Sequence, residues 1–160
     1  MFPAMSAAEQ EHTVIIEASQ QDCFDVITDF ESYPEWNSAL CAARVEKESR
    51  GVAKHVSFEL DARVKKIRYV LEYSYKKPRE LTWESVAGDV GSIVGSYRLE
   101  KLADNRTRAT CRQEIDLGFW LPGPIRRLAE NTALKQAVGE FKAEVERRVA
   151  AATKPSRRKR

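Results

Sequence analysis

Between Ala39 and Leu117 hydrophobic and polar residues alternate in short runs, and beyond Leu117 the spacing changes to threes and fours. Alternation marks strands with one buried face, whereas a three-four spacing marks one stripe of a helix. Val52, Val56, Phe58, Leu60 and Ala62 share one parity, against Ala53, His55, Ser57, Glu59 and Asp61 on the other. Ile67, Tyr69, Leu71, Tyr73 and Tyr75 alternate likewise with Arg68, Glu72, Ser74 and Lys76, and Val70 breaks the pattern. Leu81 to Val86 is a short strand carrying Trp83. Ile93, Gly95, Tyr97 and Leu99 face one way from the next strand, and Ala109, Cys111, Gln113, Ile115 and Leu117 from the last. Turn residues separate these runs at Ser49-Arg50-Gly51, Lys77-Pro78-Arg79-Glu80, Gly88-Asp89-Val90-Gly91 and Ala103-Asp104-Asn105-Arg106. Together with Leu40 to Glu48 they predict six strands in an antiparallel meander, because no helical pattern intervenes.

The ends of the chain read differently. His12 to Ala18 is β-branched and apolar, a further strand, and Ser19-Gln20-Gln21-Asp22 follows as a capping box. Cys23, Phe24, Ile27 and Phe30 give a short helix its apolar face; Ser32-Tyr33-Pro34-Glu35-Trp36-Asn37 starts another, with Ser32 as cap and Pro34 in the first turn. After Phe119-Trp120-Leu121-Pro122-Gly123-Pro124, the residues Leu128, Leu134, Val138, Phe141, Val145 and Val149 fall on one stripe. They predict a helix of about 25 residues, about 38 Å long. A stripe of that length needs a long partner, which only a curved sheet wrapped around it supplies. The expected organisation is one domain over residues 1–152 followed by a basic tail, 153–160.

Strand, two short helices, six strands and a long helix, with the segment Asp29-Phe30-Glu31-Ser32-Tyr33-Pro34-Glu35-Trp36-Asn37, resemble the polyketide cyclase/dehydrase and lipid-transport superfamily. This is the SRPBCC or helix-grip group, shared with START domains and the birch-pollen-allergen family. The segment is similar to the D-x-x-x-Y-P-x-W-N pattern of bacterial cyclase/dehydrase-like members. The resemblance covers roughly Thr13 to Val149. It implies an α+β fold in which a curved seven-stranded antiparallel sheet grips the C-terminal helix, with two short helices after strand 1 and a pocket for an apolar ligand between sheet and helix. Members include ligand carriers, regulators and a few aromatase/cyclases. The coenzyme-Q-binding branch carries Phe and Pro-Trp-Cys after the tyrosine; Pro34-Glu35-Trp36-Asn37-Ser38 departs from that.

Composition agrees with one globular domain: 160 residues, 42% hydrophobic and 32% charged. The net charge of +3 belongs to the tail, since without Lys154, Arg157, Arg158, Lys159 and Arg160 the chain carries 22 basic and 24 acidic residues. Such a tail is read as solvated: without a folded basic face it specifies no nucleic acid. Cys23, Cys41 and Cys111 are scattered, and His12 and His55 lie near none of them, so neither disulfides nor a metal site is expected. No apolar run of 18 residues and no secretory leader pattern occurs, and the expected location is cytoplasmic. Asn105-Arg106-Thr107 is then a chance glycosylation match. Nucleophile-elbow, P-loop, dinucleotide and zincin motifs are missing from the sequence, and no cofactor is implied. Gly88, Gly91 and Gly95 read as turn and strand-bend glycines, and His55 sits on a polar strand face with no identifiable acidic partner.

The chemistry-bearing residues are aromatic. Phe58, Tyr69, Tyr73, Tyr75, Trp83 and Tyr97 share the parity expected to face the helix. They describe equally a packed core with hydroxyls at its rim and a pocket with aromatic walls and polar tips. Asn131, near the apolar stripe, would bond a neighbouring Tyr or Gln113 or present itself to a ligand, and Gln113 would help to orient that ligand. Lys54 shares the parity of Val56, with its ammonium snorkelling outward. Trp36 and Trp120 would rim a common mouth or act as separate anchors. The expected ligand-binding set is therefore Phe58, Tyr69, Tyr73, Trp83, Tyr97, Gln113, Asn131, Trp36 and Trp120, with Gly95 and Asn131 as positions where a larger side chain would fill the space. Three readings follow: binding or transport of a small apolar or amphipathic molecule (a lipid, an isoprenoid or an aromatic polyketide-like compound), an aromatase/cyclase-type enzyme, and an interaction module with a filled core.

Overall fold

The computed structural model describes residues 9–61, 66–116, 118 and 122–153, with the backbone alone for 123–129 and 153. Glu9–Ile16 forms β1 and Gln20–Ile27 forms α1; a 3₁₀ turn, Phe30–Ser32, runs directly into α2, Tyr33–Trp36. Six strands follow, β2 (Leu40–Ser49), β3 (Val52–Asp61), β4 (Lys66–Lys76), β5 (Glu80–Gly88), β6 (Ser92–Leu102) and β7 (Arg106–Asp116), and then α3, Gly123–Thr153. The sheet has seven strands in the order β1-β7-β6-β5-β4-β3-β2, every neighbouring pair antiparallel. The expected helix-grip architecture is the one observed. Ala62, Leu117, Phe119, Trp120 and Leu121, the side chain of Leu128, and the basic residues of the tail lie outside the described residues.

Local chemistry sets the boundaries. Ser19 is extended, and its Oγ accepts the Asp22 amide at 3.0 Å, which starts α1 as expected. β1 stops short of Ala18, whose place in the register falls opposite the β6–β7 turn, and the Ala18 carbonyl accepts instead from the buried Thr107 hydroxyl at 2.8 Å. The β6–β7 turn places Asp104 and Asn105 at φ of 60° and 56°, a conformation these residue types tolerate. Ser32 is not a cap: its backbone is already helical, it makes no capping bond, and its hydroxyl donates to the Asp29 carbonyl at 2.7 Å.

Bulges bend the sheet. Register shifts fall at Leu40/Ala42, Val45/Lys47 and Lys47/Glu48 along β2–β3, and at Val70/Leu71 between β4 and β5. The last leaves Val86 as an extra residue on β5, which is why this large apolar side chain is exposed. Lys54 is likewise the residue skipped on β3, and its ammonium turns to the outer face to pair with Glu72 at 2.8 Å.

On α3, Leu134, Val138, Phe141 and Val145 are buried and Val149 is partly so, the predicted stripe. The helix is 31 residues long, about 46 Å, and so exceeds the expected length of about 25 residues. It packs on β1 and α1. Glu17 N–H donates to Glu146 Oε2 at 2.8 Å, which places the C-terminal half of α3 beside the end of β1.

Candidate functional site

Because β-strand side chains alternate, the inner face of the sheet collects one parity from each strand. It presents Val56 and Phe58 from β3; Tyr69, Leu71 and Tyr73 from β4; Leu81 and Trp83 from β5; Ile93, Tyr97 and Leu99 from β6; and Ala109, Cys111 and Gln113 from β7. The predicted aromatic set does meet there. Tyr69 lies 5.6 Å from Phe58, Tyr73 is 6.0 Å from Trp83 and Trp83 is 6.0 Å from Tyr97, measured between ring centres. The row closes onto the helices through Tyr97 on Phe141 (5.1 Å), Phe141 on Trp36 (6.2 Å), Trp36 on Tyr33 (4.9 Å) and Tyr33 on Phe58 (5.7 Å).

Several polar tips in this interior are bonded to protein. Trp83 Nε1 donates to Gln113 Oε1 at 3.1 Å and Tyr33 Oη to the Ile27 carbonyl at 2.5 Å; Tyr75 Oη donates to the Ala53 carbonyl. Gln113 thus orients an indole rather than Asn131, which sits half-buried on α3. Burial raises the phenols of Tyr33, Tyr73 and Tyr97, raises Tyr69 and Tyr75 to about 12, and raises the Cys111 thiol to about 12 against the opposing Tyr97 contact.

The inner face has two unequal halves. Under Leu134 to Val145 its residues are buried. At the end of the sheet where β3 finishes, β4 starts, the β5–β6 turn lies and β7 finishes, the inward residues Leu60, Ile67, Tyr69, Val90 and Ile115 keep accessible surface. These belong together: Leu60 pairs with Ile67, Phe58 with Tyr69, Tyr69 with Gly88, and Ile93 with Ile115. Tyr69 combines a half-buried ring with a hydroxyl desolvated enough to sit at about 12.

Three features were not anticipated. His55 does have an acidic neighbour, Glu72 Oε1 at 3.5 Å from Nε2, supplied from β4 across the β3–β4 pair. Glu130, beside Asn131 on α3, has both carboxylate oxygens buried. Two clasps hold the α2 segment to α3. Ser38 donates its amide to Glu140 Oε1 at 3.0 Å and its hydroxyl to Oε2 at 2.7 Å, with Gln136 Nε2 donating to Ser38 Oγ at 2.8 Å. Farther along, Arg148 reaches Asp29 and Ser32 Oγ, each at 3.1 Å. The only sequence trace of the first clasp is Gln136 and Glu140, one turn apart on one helix face.

A concavity of about 590 Å³ lies on the other, outer face of the sheet, lined by Glu9, Glu72, Glu80, Glu84, Glu114, Arg112 and Val94 among others. It is open and carboxylate-rich, unlike the apolar enclosure that small-molecule sites use. Glu72 there is held below the usual carboxylate range, first by the Lys54 hydrogen bond. Among the described residues no group of three or more His, Cys, Asp or Glu is placed to hold a metal ion.

The sequence family described as polyketide cyclase/dehydrase and lipid transport matches residues 16–142. No curated protein matches the chain. Solved structures do. A START superfamily protein from Mycobacterium smegmatis is 16% identical with a TM-score of 0.80, covering 87% of this chain and 97% of that one. The ZhuI aromatase/cyclase from Streptomyces sp. R1128 is 20% identical with a TM-score of 0.76, covering 92% and 98%. A protein from Thermus thermophilus is 18% identical with a TM-score of 0.74, covering 91% and 99%. At these identities the likeness establishes the helix-grip fold.

Proposed function

The chain belongs to the polyketide cyclase/dehydrase and lipid-transport family, and from that premise we propose that it binds a small apolar or amphipathic molecule between the inner face of the sheet and the first half of α3. The observation that carries the proposal is the accessible surface kept by Leu60, Ile67, Tyr69, Val90 and Ile115 at one end of an otherwise buried inner face. A lipid, an isoprenoid or an aromatic polyketide-like compound would supply the apolar surface that such a site buries. Binding would come from burial of apolar surface, with Tyr69 contributing both an aromatic wall and a phenol tip. Phe58, Tyr73, Trp83 and Tyr97 then act as the rigid floor, and Gln113 as the group that fixes Trp83.

No helix among the described residues is long and apolar enough to cross a membrane. Tyr69 and Cys111, raised to about 12, are neutral at pH 7 and would meet a ligand as uncharged groups. A cyclase-type activity has one observation on its side, the buried carboxylate of Glu130.

Titration with an environment-sensitive apolar dye tests the proposal. A dissociation constant in the micromolar range, about −8 kcal/mol, with displacement by hydrophobic competitors and a loss of about tenfold in Tyr69→Glu, is expected. Absence of saturable binding by the parent protein removes the proposal.

A further inference from the structure

Trp36 differs from the other polar aromatics whose contacts are described above. Its Nε1 is buried with no hydrogen-bond partner, while the Trp83 indole has Gln113 and the Tyr33 and Tyr75 hydroxyls have carbonyls. An indole N–H only donates, and a buried donor left unmet is costly enough that native structures rarely keep one. The ring itself is well placed by packing, tilted on Tyr33 at 4.9 Å and on Phe141 at 6.2 Å. Tyr33 continues to Phe58 and Phe58 to Tyr69, and Leu40, four residues after Trp36, pairs with Leu60. Trp36 is thus joined by a continuous run of rings to Tyr69, one of the inner-face residues that keep accessible surface.

We infer that the Trp36 indole N–H is the polar selector of the proposed site, donating to a neutral oxygen acceptor, such as a ketone or ester carbonyl, on an otherwise apolar ligand. The inference rests on the binding reading above and adds to it the ligand chemistry and the residue that reads it. A carbonyl fits better than a carboxylate. Glu35 adjoins Trp36 in the chain, and Glu140 adjoins Phe141 and is bonded to Ser38 two residues beyond the indole. A second negative charge among these would be repelled, whereas a neutral acceptor satisfies the donor without a counter-ion. The packing of the indole on both α2 and α3 also makes the selection geometric. The N–H is held in place before the ligand arrives, so little is lost in ordering it.

Two probes of similar shape separate the outcomes: 2-acetylnaphthalene, which carries a carbonyl, and 2-isopropylnaphthalene, which carries none. The parent protein is expected to prefer the ketone, and Trp36→Phe, which keeps an aromatic ring but removes the donor, to weaken the ketone about fivefold while leaving the hydrocarbon unchanged. Equal weakening of both probes, or no preference in the parent protein, overturns the inference and leaves the binding reading standing. Binding of neither probe overturns both. Should Trp36→Phe fold poorly, the parent protein still decides by ¹H–¹⁵N spectroscopy. The Trp36 indole proton is expected to move downfield on adding the ketone and to shift little with the hydrocarbon; an indole resonance equally indifferent to both probes sinks the inference.

Discussion

Trp83 occupies the space of the side chain that its cross-strand partner Gly95 lacks. A Cβ added at Gly95 would lie 2.6 Å from Trp83 Cε2, 2.6 Å from Cζ2 and 2.7 Å from Nε1. The indole lies over the backbone of β6 and so reaches Gln113 on β7. Gly95 is therefore no empty corner of a cavity, contrary to the expectation that a larger residue would fill free space there. Even Gly95→Ala must push Trp83 aside. It is expected to cost about 1–3 kcal/mol in urea denaturation, and Trp83→Leu in the same chain should recover part of that loss, because the two sites are coupled. Additive losses in the double variant would show that the ring does not depend on the glycine.

The sheet and the long helix were legible because each buries one face. Period two placed Phe58, Tyr73, Trp83 and Tyr97 inward, and the three-four stripe placed Leu134, Val138, Phe141 and Val145 against them. What the pattern missed were interruptions and distant contacts. A bulge moves Lys54 across to Glu72. Ser32 loses its cap because the 3₁₀ turn before it has already set a helical backbone. The Ser38–Glu140 clasp joins residues 102 apart in sequence, which no local periodicity encodes. The candidate site was half legible for the same reason: parity says which rings face inward, but the room left between them depends on how sheet and helix curve against each other.

All five tyrosines lie in settings that raise their phenols. A raised folded value favours the neutral form in the native state. The associated stability is thus complete below the unfolded value of about 10 and is lost as pH rises through the folded values. Absorbance at 295 nm is expected to show no ionisation step near pH 10 in the native protein; phenolate should appear together with loss of the near-ultraviolet circular dichroism, above about pH 10. A tyrosine titrating near pH 10 in still-folded protein would contradict the enclosed aromatic interior.

Ser38 fastens the segment carrying Trp36 to the face of α3 formed by Gln136 and Glu140. Ser38→Ala removes the hydroxyl bonds but keeps the amide bond. A loss of about 1 kcal/mol or less is expected, since the group is exposed. The larger effect is local: amides from Trp36 to Leu40 are expected to exchange hydrogen faster while those of Phe141 and Val145 stay protected. Uniformly faster exchange would mean that the clasp belongs to the global core instead of acting as a local fastening.

Glu144 ties the far end of α3 together. Its side chain is only 8% exposed and accepts from Arg147 Nη2 at 2.7 Å and Arg148 Nε at 2.7 Å. Arg148 then bridges to Asp29 and Ser32, before α2. The Arg147 hydrogen bond, helped by Arg148, holds the Glu144 carboxyl below its usual value of 4.5 despite the opposing effect of burial. A depressed folded value means that this contribution to stability is present above pH 4.5 and is lost as pH falls through the folded value. Glu144→Gln keeps the size and removes the charge, so at pH 7 it is expected to cost about 1.5–3 kcal/mol, the range for a hydrogen bond to a charged group. At pH 3, below the ordinary carboxyl value of 4.5, part of that contribution is already lost and the difference between the two proteins should shrink. Urea denaturation at both pH values reads this directly. A gap that stays the same from pH 7 to pH 3 would show that Glu144 acts through packing and not through its charge.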